Sequence, residues 1–433
     1  MNKEKALNDE WRILKFSECI QQLNTGLNPR KNFSLGKGEI KYITAKNLTK
    51  SGTIDFSKCD FIDEEAKKII NKRSDIKVGD ILFSSRAPIG QCHLIKEEPD
   101  YFDIGESIFS IRVNQEIVLP EYLCLYLSSD HFIKIASKNT TGSIISEIRV
   151  GDLMDISVIV PPKHVQKNIA NCISTIDRKI GNNNAINAEL ESMARTIYDY
   201  WFLQFEFPNE EGKPYKSSGG KMVWNEELKR EIPEGWKIDE ISSYIDFISG
   251  YPFSSEDYVD DGEYKLYTIK NVQDGEIISN VDNCLNQLPE NLPQECCLKA
   301  GDLIMSLTGN VGRVGLVYEN NALLNQRVLK LVSKGGHIAY IYLLFRNNTT
   351  KTILETIATG TSQKNLSPIN MGKIKTLVPS DFILEKFDAI CNEMIEKIVA
   401  NYIENQELAA LRDFLLPLLM NGQVGFKEKD GEE

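Results

Sequence analysis

Catalysis needs reagents at workable spacings, and the sequence offers few. The four histidines, His93, His131, His164 and His337, fall at neither triad nor metal-ligand spacing. Nine cysteines are scattered without a C-x-x-C pair. Cys296 and Cys297 are adjacent, a poor spacing for two ligands of one metal, so buried free thiols and no metal are expected. No G-x-x-x-x-G-K-[ST] phosphate loop is present; Gly219-Gly220-Lys221-Met222 ends wrongly, and no G-x-G-x-x-G follows a strand. Asn28-Pro29-Arg30 is not the N-P-P-aromatic with which an amino-methyltransferase holds an extruded base. The balance favours a binding protein over a catalyst.

Amide, guanidinium and ammonium side chains in glycine-containing loops are the other candidates. Phosphates are gripped by cations, and base edges are read by Arg, Lys, Asn and Gln. Lys46, Asn47, Arg86, Thr141 and Ser143 form one such set in the first half. Lys270, Asn271, Thr308, Asn310, Arg313, Asn325, Gln326, Arg327, Ser362, Gln363 and Lys364 form another in the second. For each of them an ordinary turn or solvated-surface role is the competing reading. Lys77, Gly79 and Asp80, with Lys299, Gly301 and Asp302, read as turn formers, because Gly-Asp before an apolar run is a turn signal.

These two sets belong to an internal repeat. Trp11-Arg12-Ile13 matches Trp236-Lys237-Ile238, YITAKNL (42–48) matches LYTIKNV (266–272), and KVGDILFSS (77–85) matches KAGDLIMSL (299–307). TGS (141–143) matches TGT (359–361), and IVP (159–161) matches LVP (377–379). Each copy reads as short strands and turns followed by a long helix that begins at Pro161-Pro162 or at Pro379-Ser380-Asp381. Apolar residues recur at 3-4 spacing along both helices, the seam of a coiled coil, over about 60 Å at 1.5 Å per residue. The seam is interrupted by Asn183 and Asn187, and again by Asn401 and Asn405 at a shift of 218. Antiparallel packing would bring Asn183 to Asn405 and Asn187 to Asn401, fixing the register; a solvated asparagine-rich stretch is the alternative.

The expected boundaries follow. The first domain covers 11–160, a first spacer helix 161–205, a linker 206–235, the second domain 236–379, a second spacer helix 380–421 and a tail 422–433. The fold class is α+β: two mixed α/β domains related by a pseudo-twofold repeat, separated by two long antiparallel helices. The linker is rich in Gly, Pro and Ser, as a surface connection should be. In the aromatic run before it, Tyr198, Tyr200, Trp201 and Phe202 are core at a helix end or an exposed anchor for another protein.

Composition bounds the rest. The chain has 433 residues, 42% of them hydrophobic, enough for two or three domain cores. No run approaches the roughly 20 apolar residues that span a bilayer, and the start MNKEKALNDEW has no apolar core of a signal peptide, so no membrane association and a cytoplasmic location are expected. Net charge is −12, which argues against a lone non-specific nucleic-acid binder. The acid is unevenly placed: residues 381–433 hold 5 basic and 12 acidic side chains, whereas 30–73 hold 11 basic and 6 acidic.

Several strings together resemble the DNA-specificity subunit of type I restriction–modification systems. They are KVGDILFSSRAPIG (77–90), KAGDLIMSLTGNVGRVG (299–315), LNQRV (324–328), TGTSQKNLS (359–367), YDYWFLQFEFP (198–208) and WNEELKREIPEGW (224–236), and the resemblance covers about residues 11–425. Copy one departs from copy two at Ile104-Gly105-Glu106-Ser107 against Leu324-Asn325-Gln326-Arg327, and at SEIRV (146–150) against NLSPI (365–369), so its readout residues are the least defined. The resemblance implies two target-recognition domains that each bind half of a bipartite site in double-stranded DNA. It implies helices that set the spacing and dock two methyltransferase subunits, with restriction and translocase subunits joining the assembly. It implies no catalytic residues and no cofactor in this chain; catalysis and its cofactors, S-adenosylmethionine, Mg and ATP, would belong to those partners. Half-sites about one helical turn apart, 34–36 Å, would suit such a repeat. The competing functions are a stand-alone DNA-processing enzyme and a tether whose domains bind protein.

Overall fold

The structure is a computed structural model and describes residues 10–426 except 31, 139–146, 276 and 361–362. The chain divides into two compact units, 1–178 with 408–433, and 179–407. Among the described residues, no helix is long and apolar enough to cross a membrane, and no group of three or more His, Cys, Asp or Glu could hold a metal ion.

In the first unit a four-stranded antiparallel sheet has the order Ile20–Thr25, Ile108–Val113, Ile81–Ser84, Cys92–Leu94. A second sheet centres on Ile40–Ile43, antiparallel to Asp60–Ile62 and parallel to Phe102–Ile104. Strand Ile81–Ser84 shows why this stretch is apolar without a break. Successive side chains point to opposite faces. Ile81 and Phe83 pack against the helix Pro120–Ser128, while Leu82 enters a separate cluster with Ile43, Phe102 and Ile104. Both faces are covered, so no polar face is needed.

The second unit repeats this plan. Its four-stranded sheet has the order Ile245–Ser249, Val328–Ser333, Leu303–Ser306, Val314–Leu316. Its other sheet centres on Tyr264–Tyr267, parallel to Ala322–Leu324 and antiparallel to Cys284–Leu285. Each domain closes on itself by pairing its first strand with its last, Arg12–Lys15 with Ser157–Val160 and Lys237–Glu240 with Lys375–Val378. The Gly-Asp turns are built alike: Gly79 and Gly301 take φ of +89° and +91°, and Asp80 and Asp302 accept the Lys77 and Lys299 N–H groups at 2.9 and 2.8 Å.

Two long helices complete the fold, Lys163–Tyr198 of 36 residues and Asp381–Met420 of 40. They run antiparallel in both units. In the first, Asp177 pairs with Arg412 at 3.1 Å, while Ile169 and Ile173 join Leu419 and Met420 in one core. In the second, Leu190 and Ala194 pack with Met394 and Ile398. The first helix passes into a π turn over Asp199–Leu203, and the second carries Pro417, which lacks the N–H a helix interior needs, at the matching position.

The segment 206–235 is mostly exposed, as a surface connection should be, but part of it is regular structure. Residues Met222–Asn225 and Arg230–Pro233 form a hairpin. Phe205, Phe207 and Trp236 are buried in the second unit, with the Phe207 and Trp236 rings stacked at 5.2 Å. Aromatic burial at its two borders anchors the segment to the second unit.

Candidate nucleic-acid interface

Three separate stretches of the second unit meet at one corner. The turn after strand Leu303–Ser306 carries Thr308, Asn310 and Arg313; the turn before strand Val328–Ser333 carries Asn325, Gln326 and Arg327; a third stretch carries Gln363 and Lys364. Backbone hydrogen bonds knit them together: Leu307 N–H to Arg327 O at 2.9 Å, Gly309 N–H to Lys364 O at 3.0 Å, and Leu366 N–H to Leu307 O at 2.8 Å. Gly309 and Gly312 take φ of +73° and +76°, a region that favours glycine. Arg327 adopts φ +70° without being glycine, a strained conformation held by its surroundings.

Side-chain placement separates the exposed candidates from residues that build the corner. Asn310, Gln326, Arg327, Gln363 and Lys364 are exposed. Arg313 is half-buried and donates to Gln273 Oε1 at 2.6 Å. Thr308 and Asn325 are buried, and the Asn325 carboxamide oxygen accepts the Gln326 N–H at 2.7 Å; neither is a free reader. Lys270 is exposed and pairs with Asp282 at 2.7 Å. Ser362 lies outside the described residues.

Asn47 and Asn271 are corrected in the same way. Each carboxamide oxygen accepts the N–H of Thr44 or Thr268, at 2.9 and 3.0 Å, capping a short turn. Each amide nitrogen donates to backbone carbonyls, Asp55 O for Asn47, and Ile278 O and Asn280 O for Asn271. Both side chains are buried and serve the loop's shape.

The first unit builds the matching corner with different chemistry. Ser85 N–H donates to Ser107 O at 3.0 Å and Ile148 N–H to Ser85 O at 2.9 Å, the counterparts of the Leu307 and Leu366 bonds. Arg86, expected as a reader, is held by Glu106 at 2.8 Å and Glu147 at 3.2 Å. That pairing fastens the 147–148 stretch and, with the hydrogen bond from Arg86 first, holds the Glu106 carboxyl below the usual range. Lys46 is exposed. Thr141 and Ser143 lie outside the described residues. The two carboxylates were missed as partners, although the sequence marked both: Glu106 and Glu147 stand in the strings where copy one departs from copy two.

Two glycines were also missed. A Cβ on Gly26 would lie 2.0 Å from Ile104 O, and one on Gly250 2.0 Å from Asn325 O. At each the backbone passes too close to its neighbour for any side chain. Extending the repeat alignment to Thr25-Gly26 and Ser249-Gly250 would have found them.

Along the helices Asn183 donates to Asn405 Oδ1 at 2.9 Å and to Glu404 at 2.8 Å, and Asn401 donates to Asn187 Oδ1 at 2.7 Å. Asn183, Asn187 and Asn401 are buried. Tyr198, Trp201 and Phe202 are core residues, with Phe202 4.9 Å from both Tyr340 and Phe387; as exposed anchors they are corrected, because the end of the long helix packs them into the core of the second unit. Tyr200 alone of that group is exposed.

The sequence matches the family described as "Type I restriction modification DNA specificity domain" twice, over residues 8–192 and 233–405. The chain belongs to this family. It is 27% identical over 426 residues to the type I restriction enzyme MjaIX specificity subunit of Methanocaldococcus jannaschii, covering 97% of this chain and 94% of that protein. It is 24% identical to the type I restriction enzyme HindI specificity subunit of Haemophilus influenzae, covering 83% and 88%. The fold is that of the type I restriction–modification S subunit from M. genitalium, with a TM-score of 0.57, 17% identity, and coverage of 97% of this chain and 98% of that one.

Proposed function

We propose that this chain is the DNA sequence-recognition subunit of a type I restriction–modification complex. Each target-recognition domain reads one half of a bipartite site, and the helices set the spacing and dock methyltransferase subunits. The observation that carries this is the doubled family match on two domains of one topology whose loop corners carry different polar groups. Where the second domain offers Gln326 and Arg327, the first offers a carboxylate already neutralised by Arg86. Two readers of different chemistry call for two different half-sites.

In this reading the chain contributes position and no bond-making step. Exposed Arg327, Gln326 and Lys364 approach the duplex from one corner, where a guanidinium can satisfy a guanine edge and an ammonium a phosphate. S-adenosylmethionine, Mg and ATP serve the methyltransferase and restriction–translocase partners, two of the former per chain, in the cytoplasm. An enzyme that methylates a base must take it out of the stack, and a subunit that fixes the register of the duplex determines which base that is.

The test is methylation by the reconstituted complex of duplexes altered in one half-site at a time. Arg327→Ala should relax discrimination at one half-site by about 1–3 kcal/mol and leave the other intact. Equal losses at both halves, or methyl transfer by this chain without partners, would overturn the reading.

A further inference from the structure

Arg346 is a buried guanidinium with no counterpart in the first domain. It ends the helix Ile338–Arg346, and its side chain is 6% exposed. One terminal nitrogen donates to Glu191 Oε1 at 2.5 Å, on the first long helix, and to the Tyr342 hydroxyl. The other lies 3.5 Å from Asp274 O, and Nε is 3.7 Å from the Asp274 carboxylate. A Cβ on Gly275 would stand 2.3 Å from that same side chain, so the backbone at 274–275 lies directly against it. Burying a charge is costly unless it is paired, and removing one partner is strongly destabilising; the arrangement is therefore tightly determined.

The segment so gripped continues to the reading corner. Gln273, beside Asp274, receives the Arg313 guanidinium at 2.6 Å and donates to Lys270 O at 3.0 Å. An unbroken line of polar contacts thus runs from Glu191 through Arg346 and the 273–275 backbone to Arg313. In the first domain the matching helix ends at Ser128, whose hydroxyl bonds back to Cys124 O and Leu125 O. The positions matching Glu191 and Asp274 are Ala409 and Lys50, so that domain has neither carboxylate.

We propose that Arg346 and Glu191 are positioning residues for DNA reading by the second domain. They lock the Lys270–Gly275 segment to the long helix and thereby set the direction of Arg313. This rests on the assignment of the two corners as DNA readers. It goes beyond it in making readout by one domain, and not the other, depend on the long helix.

The experiment uses the full chain in its complex with methyltransferase, and compares methylation of duplexes intact or substituted in each half-site. The wild-type complex comes first: discrimination at both halves is expected, and its absence would overturn the DNA-reading assignment and this proposal with it. Glu191→Gln, Arg346→Lys and Gln273→Ala should each lower discrimination at the half-site affected by Arg327→Ala, by about three- to thirtyfold, and leave the other half-site unchanged. Gln273→Ala breaks the line at its half-buried end without touching the buried guanidinium, so it keeps the test open if Arg346→Lys fails to fold. Residues on one line should not act independently, so Glu191→Gln with Gln273→Ala should be no worse than the more severe single change. Equal effects on both half-sites, no effect in folded Gln273→Ala, or additive losses would overturn the proposal.

Discussion

Single residues in this protein are placed by what they can no longer contact. Asp103 is fully buried, accepts from the Ser74 hydroxyl at 2.7 Å and the Ile104 N–H at 2.8 Å, and leaves its second oxygen without a partner. Burial pushes its pKa up to about 6. The folded value lies above the unfolded one, so its ionisation weakens the fold as pH rises from about 4 to 6 and beyond. Asp103→Asn should therefore be more stable than wild type at pH 8, by about 1–3 kcal/mol, with the gain vanishing below pH 4; denaturant titrations at the two pH values measure it. The second domain places Leu323 at this register. Gly250→Ala should go the other way. A methyl group 2.0 Å from Asn325 O must push the chain apart, lowering stability by about 1–3 kcal/mol and displacing Gln326 and Arg327; thermal unfolding and half-site discrimination should fall together. Neither Asp103 nor the Arg86 pairings were legible beforehand, because their side-chain partners lie 20 to 61 residues away and only the folded register brings them close.

At the scale of elements, local pattern was the reliable guide. Apolar spacing located both long helices, and the matched strings located the central strands, because a helix face and a buried strand each write their period directly into sequence. Pairing was not legible: nothing local says that Ile40–Ile43 runs parallel to Phe102–Ile104. The hairpin of 222–233 was hidden for another reason: half of its strand residues are exposed, and the aromatic residues that anchor the segment lie outside it. The asparagine seam yields a test. Asn187→Ala leaves the Asn401 amide buried without its acceptor and should cost about 1–3 kcal/mol. Replacing both by Leu should raise Tm while weakening the preference for a single register, seen as heterogeneity in cross-linking between cysteines placed along the two helices.

For the whole molecule, charge decides how the parts are used. A chain with net charge −12 repels a polyanion except where cations cluster. Binding of DNA by this chain alone should be weak and should fall steeply between 50 and 200 mM salt, with methyltransferase strengthening it; fluorescence anisotropy at several salt concentrations measures the slope. Arg327→Ala should change the slope little if it reads a base, whereas Lys364→Ala should reduce it by about one if it holds a phosphate.

The first unit is assembled from chain before 178 and after 408, and there Gly422 adjoins the Trp11 ring, within 3.4 Å of where its Cβ would be. This close approach of Gly422 to Trp11 lets the chain be rejoined there within the first unit. A circular permutant, joined by a short linker from residue 426 to residue 10 and reopened in the exposed Glu210–Gly212 turn, should fold and keep both reading corners. The core of the first unit is thus set by which strands and helices meet, and the position of the chain break is incidental to it.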